Sequence, residues 1–153
     1  MKTKTMALWA VLLIAAVGLG ACARYSAMKG PFKDDAINPA FVDHVVEKTE
    51  RELDLTTYQS DRFRALVEKG LTSMLEQRPQ KEAVGRDLAL MLRQEHLSKK
   101  EVAQLLNRKG SLIRTVLDNT MDDFIAWHAL LDDAQRNELA ELVLRHEQGP
   151  HGL

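Results

Sequence analysis

The sequence predicts an all-α protein, an elongated antiparallel helical hairpin of about four to five helices. Three observations carry that reading. Apolar residues recur at helical spacing from Phe41 to Val143, and three segments open with the residue pair of a capping box. The third is an apolar seam from Val102 to Ile125 along one side of a single long helix. Such a helix packs against another long helix rather than inside a globule. With 5% aromatic and 28% charged residues, the composition suits a thin core in an extended molecule.

Each element follows from local signals. Asn38-Pro39 reads as an N-cap followed by proline at the first helical position, where its missing N–H does no harm. Phe41, Val42, Val45, Val46, Thr49 and Leu53 then form one stripe of a helix ending near Asp54, with Asp43, Glu47, Lys48 and Glu50 on the solvated side. Thr56 and Gln59 have capping-box spacing and open a second helix carrying Phe63, Leu66, Val67, Leu71, Met74 and Leu75. Pro79 should end or kink it at Arg78. A further helix, apolar at Val84, Leu88, Met91 and Leu92, should reach about Glu95. Ser98 and Glu101 form another box, with Leu97 and Val102 as a hydrophobic staple. Asp132 and Gln135 repeat the geometry and open a last helix with Leu139, Leu142 and Val143 inward.

The N-terminus carries a different signal. Lys2 and Lys4 precede an apolar run from Met6 to Gly18, which is shorter than the roughly 20 residues a spanning helix needs. The exit is Leu19-Gly20-Ala21-Cys22. Basic start, apolar middle and small-residue exit make a secretory signal. The cysteine at that point resembles the bacterial lipobox, in which the thiol is acylated and becomes the mature N-terminus. Cys22 is the only cysteine, so no intrachain disulfide is available. The expected organisation is a signal peptide over 1–21, a flexible tether over 22–37, a helical domain over 38–148 and a tail over 149–153. Loss of residues 1–21 leaves 19 basic against 22 acidic residues, which gives no electrostatic case for nucleic acid.

Two of the helix starts share more than a cap. Leu55-Thr56-Thr57-Tyr58-Gln59 reads L-T-x-x-Q, and Leu131-Asp132-Asp133-Ala134-Gln135 repeats it with Asp for Thr, 76 residues later. The chain from Phe41 to Glu147 resembles the LTxxQ family of bacterial periplasmic proteins, which includes the Spy and CpxP chaperones and the CnrX-type heavy-metal sensors. The resemblance implies an elongated, dimeric, all-α protein without enzymatic activity or resident cofactor. It would be anchored through Cys22 in the periplasm, at the outer membrane by family analogy because Ala23 rather than Asp follows the cysteine. Spy-like members hold unfolded or partner proteins on a surface mixing apolar and basic residues. The corresponding candidates here are Arg62, Arg64, Arg86 and Arg93, with Leu66, Leu88 and Met91 interleaved.

The alternative is a periplasmic heavy-metal sensor or resistance protein signalling to a regulatory membrane protein through a divalent transition metal. Sensor relatives use a His pair at i,i+4 on the first helix, a Glu on the second, and His with Met on the third. Here the position four after His44 is Lys48, Asp123 falls where the family's His would be, and Trp127 where its Met would be. That leaves His44, Asp123 and His128 as weak metal candidates. None of the nucleophile-elbow, zincin, Cys-x-x-Cys or phosphate-loop patterns occurs, so no catalytic template is met.

Overall fold

The computed structural model describes residues 30–147, with side chains to residue 145; Cys22, the apolar run 6–18 and the tail 149–153 lie outside them. The first described residues are not irregular, as the tether expectation had them. Strands β1 (Phe32–Lys33) and β2 (Ala36–Ile37) pair antiparallel, Phe32 opposite Ile37 and Lys33 opposite Ala36. The two residues between them, Asp34 and Asp35, have φ of 51° and 63°. Two positive φ values across a two-residue loop are what a type I′ hairpin turn requires, and aspartate tolerates that region better than most residues. Phe32 and Ile37 are partly buried against the core, which fixes the hairpin in place.

Helix α1 spans Pro39–Leu53 and buries Val42, Val45, Val46, Thr49 and Leu53, the predicted stripe. The Thr49 hydroxyl donates to the Val45 carbonyl at 2.9 Å, so its burial leaves no unpaired polar group. Asn38 stands at the N-cap position, yet its side chain makes no capping bond. Its Nδ2 donates instead to the Gly30 carbonyl at 3.0 Å, and its backbone N–H to Pro31 at 2.9 Å, tying hairpin to helix. The helix stops at Asp54, which is left-handed with φ and ψ both 50°.

Helix α2 runs Thr57–Glu76 and α3 runs Arg78–Met91. Gln77 separates them, one residue earlier than predicted, although its N–H still donates to Ser73 at 3.2 Å and its carbonyl accepts from the Lys81 N–H at 3.0 Å. Pro79 has no N–H to return to the previous turn, and its ring excludes a regular carbonyl there. Helix α4 spans Lys99–His128, 30 residues or about 45 Å, and α5 spans Asp133–Glu147.

Helix α2 packs chiefly on α4, and the two run antiparallel. Gln59 meets Leu130, Phe63 meets Trp127, Lys69 meets Asp123 and Ser73 meets Asn119, so residue numbers fall on α4 as they rise on α2. Arg108 and Asp87, paired at 2.6 Å, continue that order onto α3. The hairpin therefore has an arm of two successive helices, α2–α3, and a continuous one, α4. Helix α1 packs on α2 and α5 on α1 at the base. The core lies there, with Val42, Leu53, Leu55, Phe63, Leu66, Val67, Leu71, Trp127, Leu131 and Leu139 in one cluster.

The tip departs from the sequence reading. Helix α3 ends at Met91 rather than near Glu95, and of its apolar face only Met91 is buried. Leu88 and Leu92 are 43% and 66% exposed. Ser98 has extended backbone but makes no side-chain cap, and Leu97 is too exposed to act as a staple. Without an apolar partner to hold the approaching chain, the Ser98–Glu101 pair does not close into a box. On α4, Leu105, Val116 and Leu117 face inward, whereas Leu106, Ile113 and Ile125 are more than half exposed.

Candidate functional site

The two L-x-x-x-Q segments meet at the base of the hairpin. In the first, the Thr56 hydroxyl accepts from the Gln59 N–H at 3.3 Å, and the Gln59 Oε1 accepts from the Thr56 N–H at 2.8 Å. In the second, Asp132 Oδ1 accepts from the Gln135 N–H at 2.8 Å, and Gln135 Oε1 accepts from the Asp132 N–H at 3.0 Å. Both are complete capping boxes. Leu55 and Leu131 are buried beside them, at 7% and 3% exposure.

The glutamines do more than cap. Gln59 Nε2 donates to Gln135 Oε1 at 2.8 Å, and Gln135 Nε2 donates to Gln59 Oε1 at 3.1 Å. The remaining hydrogens go to equivalent carbonyls: Gln59 Nε2 to Leu130 at 2.7 Å and Gln135 Nε2 to Asp54 at 3.1 Å. Each of those carbonyls belongs to the residue just before the other motif's leucine. The arrangement is thus unchanged when the two motifs are exchanged, a local twofold within one chain. Both amides are buried, and each uses both donors and both acceptor lone pairs. The left-handed turn at Asp54 is what aims its carbonyl into this pair.

Trp127 supports the clasp from below. It is 2% exposed, its indole Nε1 donates to the Gln59 carbonyl at 3.1 Å, and its ring lies 4.9 Å from that of Phe63. The position that the sequence reading aligned with a metal-binding methionine of the sensors is thereby a core aromatic. Asp123 pairs with Lys69 across the α2–α4 interface, and His128 lies against the Phe124 ring with centroids 6.1 Å apart. His44 is half-buried on α1. Among the described residues no three His, Cys, Asp or Glu side chains converge in a way that could hold a metal ion. The structure does not bring the three weak metal candidates into such a group.

The candidate client-binding residues separate into two sets. Leu66 is 2% exposed in the core, so it cannot belong to a binding surface. Met91 is also buried. Arg64 is paired with Asp43 at 2.6 Å, joining α2 to α1. Arg62 is exposed at the base, far along α2 from the tip. Leu88, Arg86 and Arg93 are exposed together on the α3 end of the hairpin. Three leucines that the sequence reading did not assign to a client surface, two of them expected instead on a packed face or in a staple, are exposed near them in the chain. Leu90, Leu92 and Leu97 are 61%, 66% and 54% exposed, and on α4 Leu106 is 61% exposed. Their signal in the sequence was a density of leucine greater than one helix face can bury.

Comparison of the chain with protein-family models, with curated proteins and with solved structures finds no match. Among the described residues no helix is long and apolar enough to cross a membrane.

Proposed function

We propose that this protein is a lipid-anchored periplasmic chaperone or envelope-stress adaptor of the Spy/CpxP kind, which holds unfolded or partner polypeptides and performs no catalysis. The observation that carries the reading is the tip, where Leu88, Leu90, Leu92 and Leu97 stand exposed beside Arg86 and Arg93. Exposed leucines in one region mark an interaction surface, and free guanidinium groups attract acidic or backbone-rich clients before apolar contact retains them. The twinned L-x-x-x-Q clasp supports kinship with the LTxxQ proteins, because it gives both motif copies one shared structural task. Acylation of Cys22 places this domain at the membrane, and pairing of two hairpins into a homodimer covers part of the apolar surface of α4.

The test is suppression of aggregation of an unrelated, chemically denatured protein, measured by light scattering at low and high salt. Suppression that weakens as salt screens the arginines is expected, since surface charges are screened beyond about 8–10 Å at physiological ionic strength. Absence of any suppression, or suppression unchanged by Leu90→Asp with Leu92→Asp, overturns the reading. Mass spectrometry of the membrane-extracted protein tests the anchor, with an acylated Cys22 terminus expected.

A further inference from the structure

Where α2 breaks into α3, an open cavity of about 610 Å³ lies between the break, the middle of α4 and the turn of the β hairpin. Its floor is apolar, built from Phe32, Met74, Leu75, Leu112, Ile113 and Val116. Its rim is charged. Arg78 is held by Asp35 and by Glu82, the latter at 3.3 Å, so its guanidinium is engaged by carboxylates. Lys81 on α3 and Lys109 on α4 also line the cavity, and neither forms an ion pair among the described residues. They outnumber Asp34, the one rim carboxylate without an ion pair. An apolar trough edged by two ammonium groups without ion pairs, one more than its free carboxylates, is complementary to a molecule with a long apolar body and one anionic end.

We propose that this groove binds a single-chain fatty-acid anion, its alkyl chain along the Leu75–Ile113 floor and its carboxylate between Lys81 and Lys109. The cavity falls within the ~300–1,000 Å³ typical of small-ligand sites. A methylene occupies rather less than the ~30 Å³ share of a water, so the space accommodates a chain of about sixteen carbons. The floor also discriminates between classes of occupant. Apart from Gln77, the uncharged lining is apolar, so a polypeptide laid along the floor would leave most of its backbone N–H and C=O groups unpaired, whereas an alkyl chain has none to leave unpaired. A second copy of this chain, docked groove to groove about a twofold axis, would set Lys81 and Lys109 against their own equivalents.

The test uses the chain from residue 22 onward carrying Cys22→Ser, which keeps the whole described core. cis-Parinarate, a fluorescent fatty acid, is titrated below its aggregation threshold and then displaced by palmitate or by uncharged methyl palmitate. Saturable binding of one probe per chain is expected, with palmitate displacing it better than the ester. The double variant Lys81→Glu/Lys109→Glu alters only exposed side chains; it should weaken palmitate about tenfold, four charge units being changed at a solvent-facing site, and remove its advantage over the ester. Ile113→Glu, at a half-exposed floor position, should abolish probe binding while the helical melting curve stays in place. No saturable binding, or equal palmitate affinity in the double variant, overturns the proposal. So does displacement by a denatured polypeptide where palmitate fails, which assigns the groove to a protein client. An Ile113→Glu chain that becomes monomeric, from a dimer that never bound the probe, assigns it instead to a second copy.

Discussion

The indole Nε1 of Trp127 donates to the backbone carbonyl of Gln59 at 3.1 Å, so the largest core side chain is suspended from the residue whose own side chain clasps Gln135. Three elements that are distant in sequence, the starts of α2 and α5 and the end of α4, are joined through that one glutamine. Removing any member should therefore be felt by the others.

Gln59→Ala and Gln135→Ala should each destabilise the fold by about 1–3 kcal/mol, because each leaves a buried partner amide short of hydrogen bonds. The double variant should cost less than the two singles together, with a coupling of about 0.5–3 kcal/mol in a urea-denaturation cycle. Additive losses would mean that the amides act as two independent caps.

Trp127→Phe keeps an aromatic ring against Phe63 but deletes the indole donor, for a loss of about 1 kcal/mol. Trp127→Ala opens a cavity in the base and should cost about 3–5 kcal/mol. Trp9 is the only other tryptophan and lies in the expected signal peptide, so fluorescence of the mature chain reports on this site alone. Its emission should shift to the red in a single step as urea unfolds the base.

Ser60 offers a change in the opposite direction. Its hydroxyl is buried without a hydrogen-bond partner among the described residues. Ser60→Ala removes that unpaired group and improves helix propensity, so the melting temperature should rise, by the equivalent of about 0.5–1 kcal/mol. A fall in melting temperature would show that the hydroxyl finds a partner in solution.

Leu90→Asp and Leu92→Asp should leave stability within about 0.5 kcal/mol of the starting protein, as exposed positions do. Leu66→Ala should cost about 2–5 kcal/mol, as a core leucine does. Circular-dichroism melts of the three variants separate the tip, which is surface, from the α2 stripe, which is core.

The legible part of this fold was the part written locally. Thr56 with Gln59 and Asp132 with Gln135 close as boxes because a buried leucine precedes each and fixes the approach of the chain. Ser98 with Glu101 carries the same letters, but Leu97 has nothing to pack on, and letters alone do not hold a cap. The β hairpin escaped the reading because its strands are two residues long and its turn uses Asp34-Asp35 without a glycine. Periodicity placed Leu66 and Leu88 on apolar stripes with equal weight. Whether a neighbour reaches each stripe is a tertiary fact, and the first is covered whereas the second is left in solvent. The pairing of Gln59 with Gln135 left its trace as a repeated motif, though nothing in either copy states that the two side chains touch.

Apolar burial is distributed unevenly along the hairpin. The base holds one dense cluster, whereas between Arg78 and Leu112 the only buried apolar side chains are Met91 and Leu105. The free energy needed to open a backbone hydrogen bond should accordingly decline from base to tip. Amide hydrogens around Leu66 and Val67 would then exchange only through global unfolding, while those of α3 exchange through excursions that leave the base intact. The end that exposes its leucines is thus also the end whose shape is least costly to change, and an apolar surface can remould itself there while the stem beneath it stays folded.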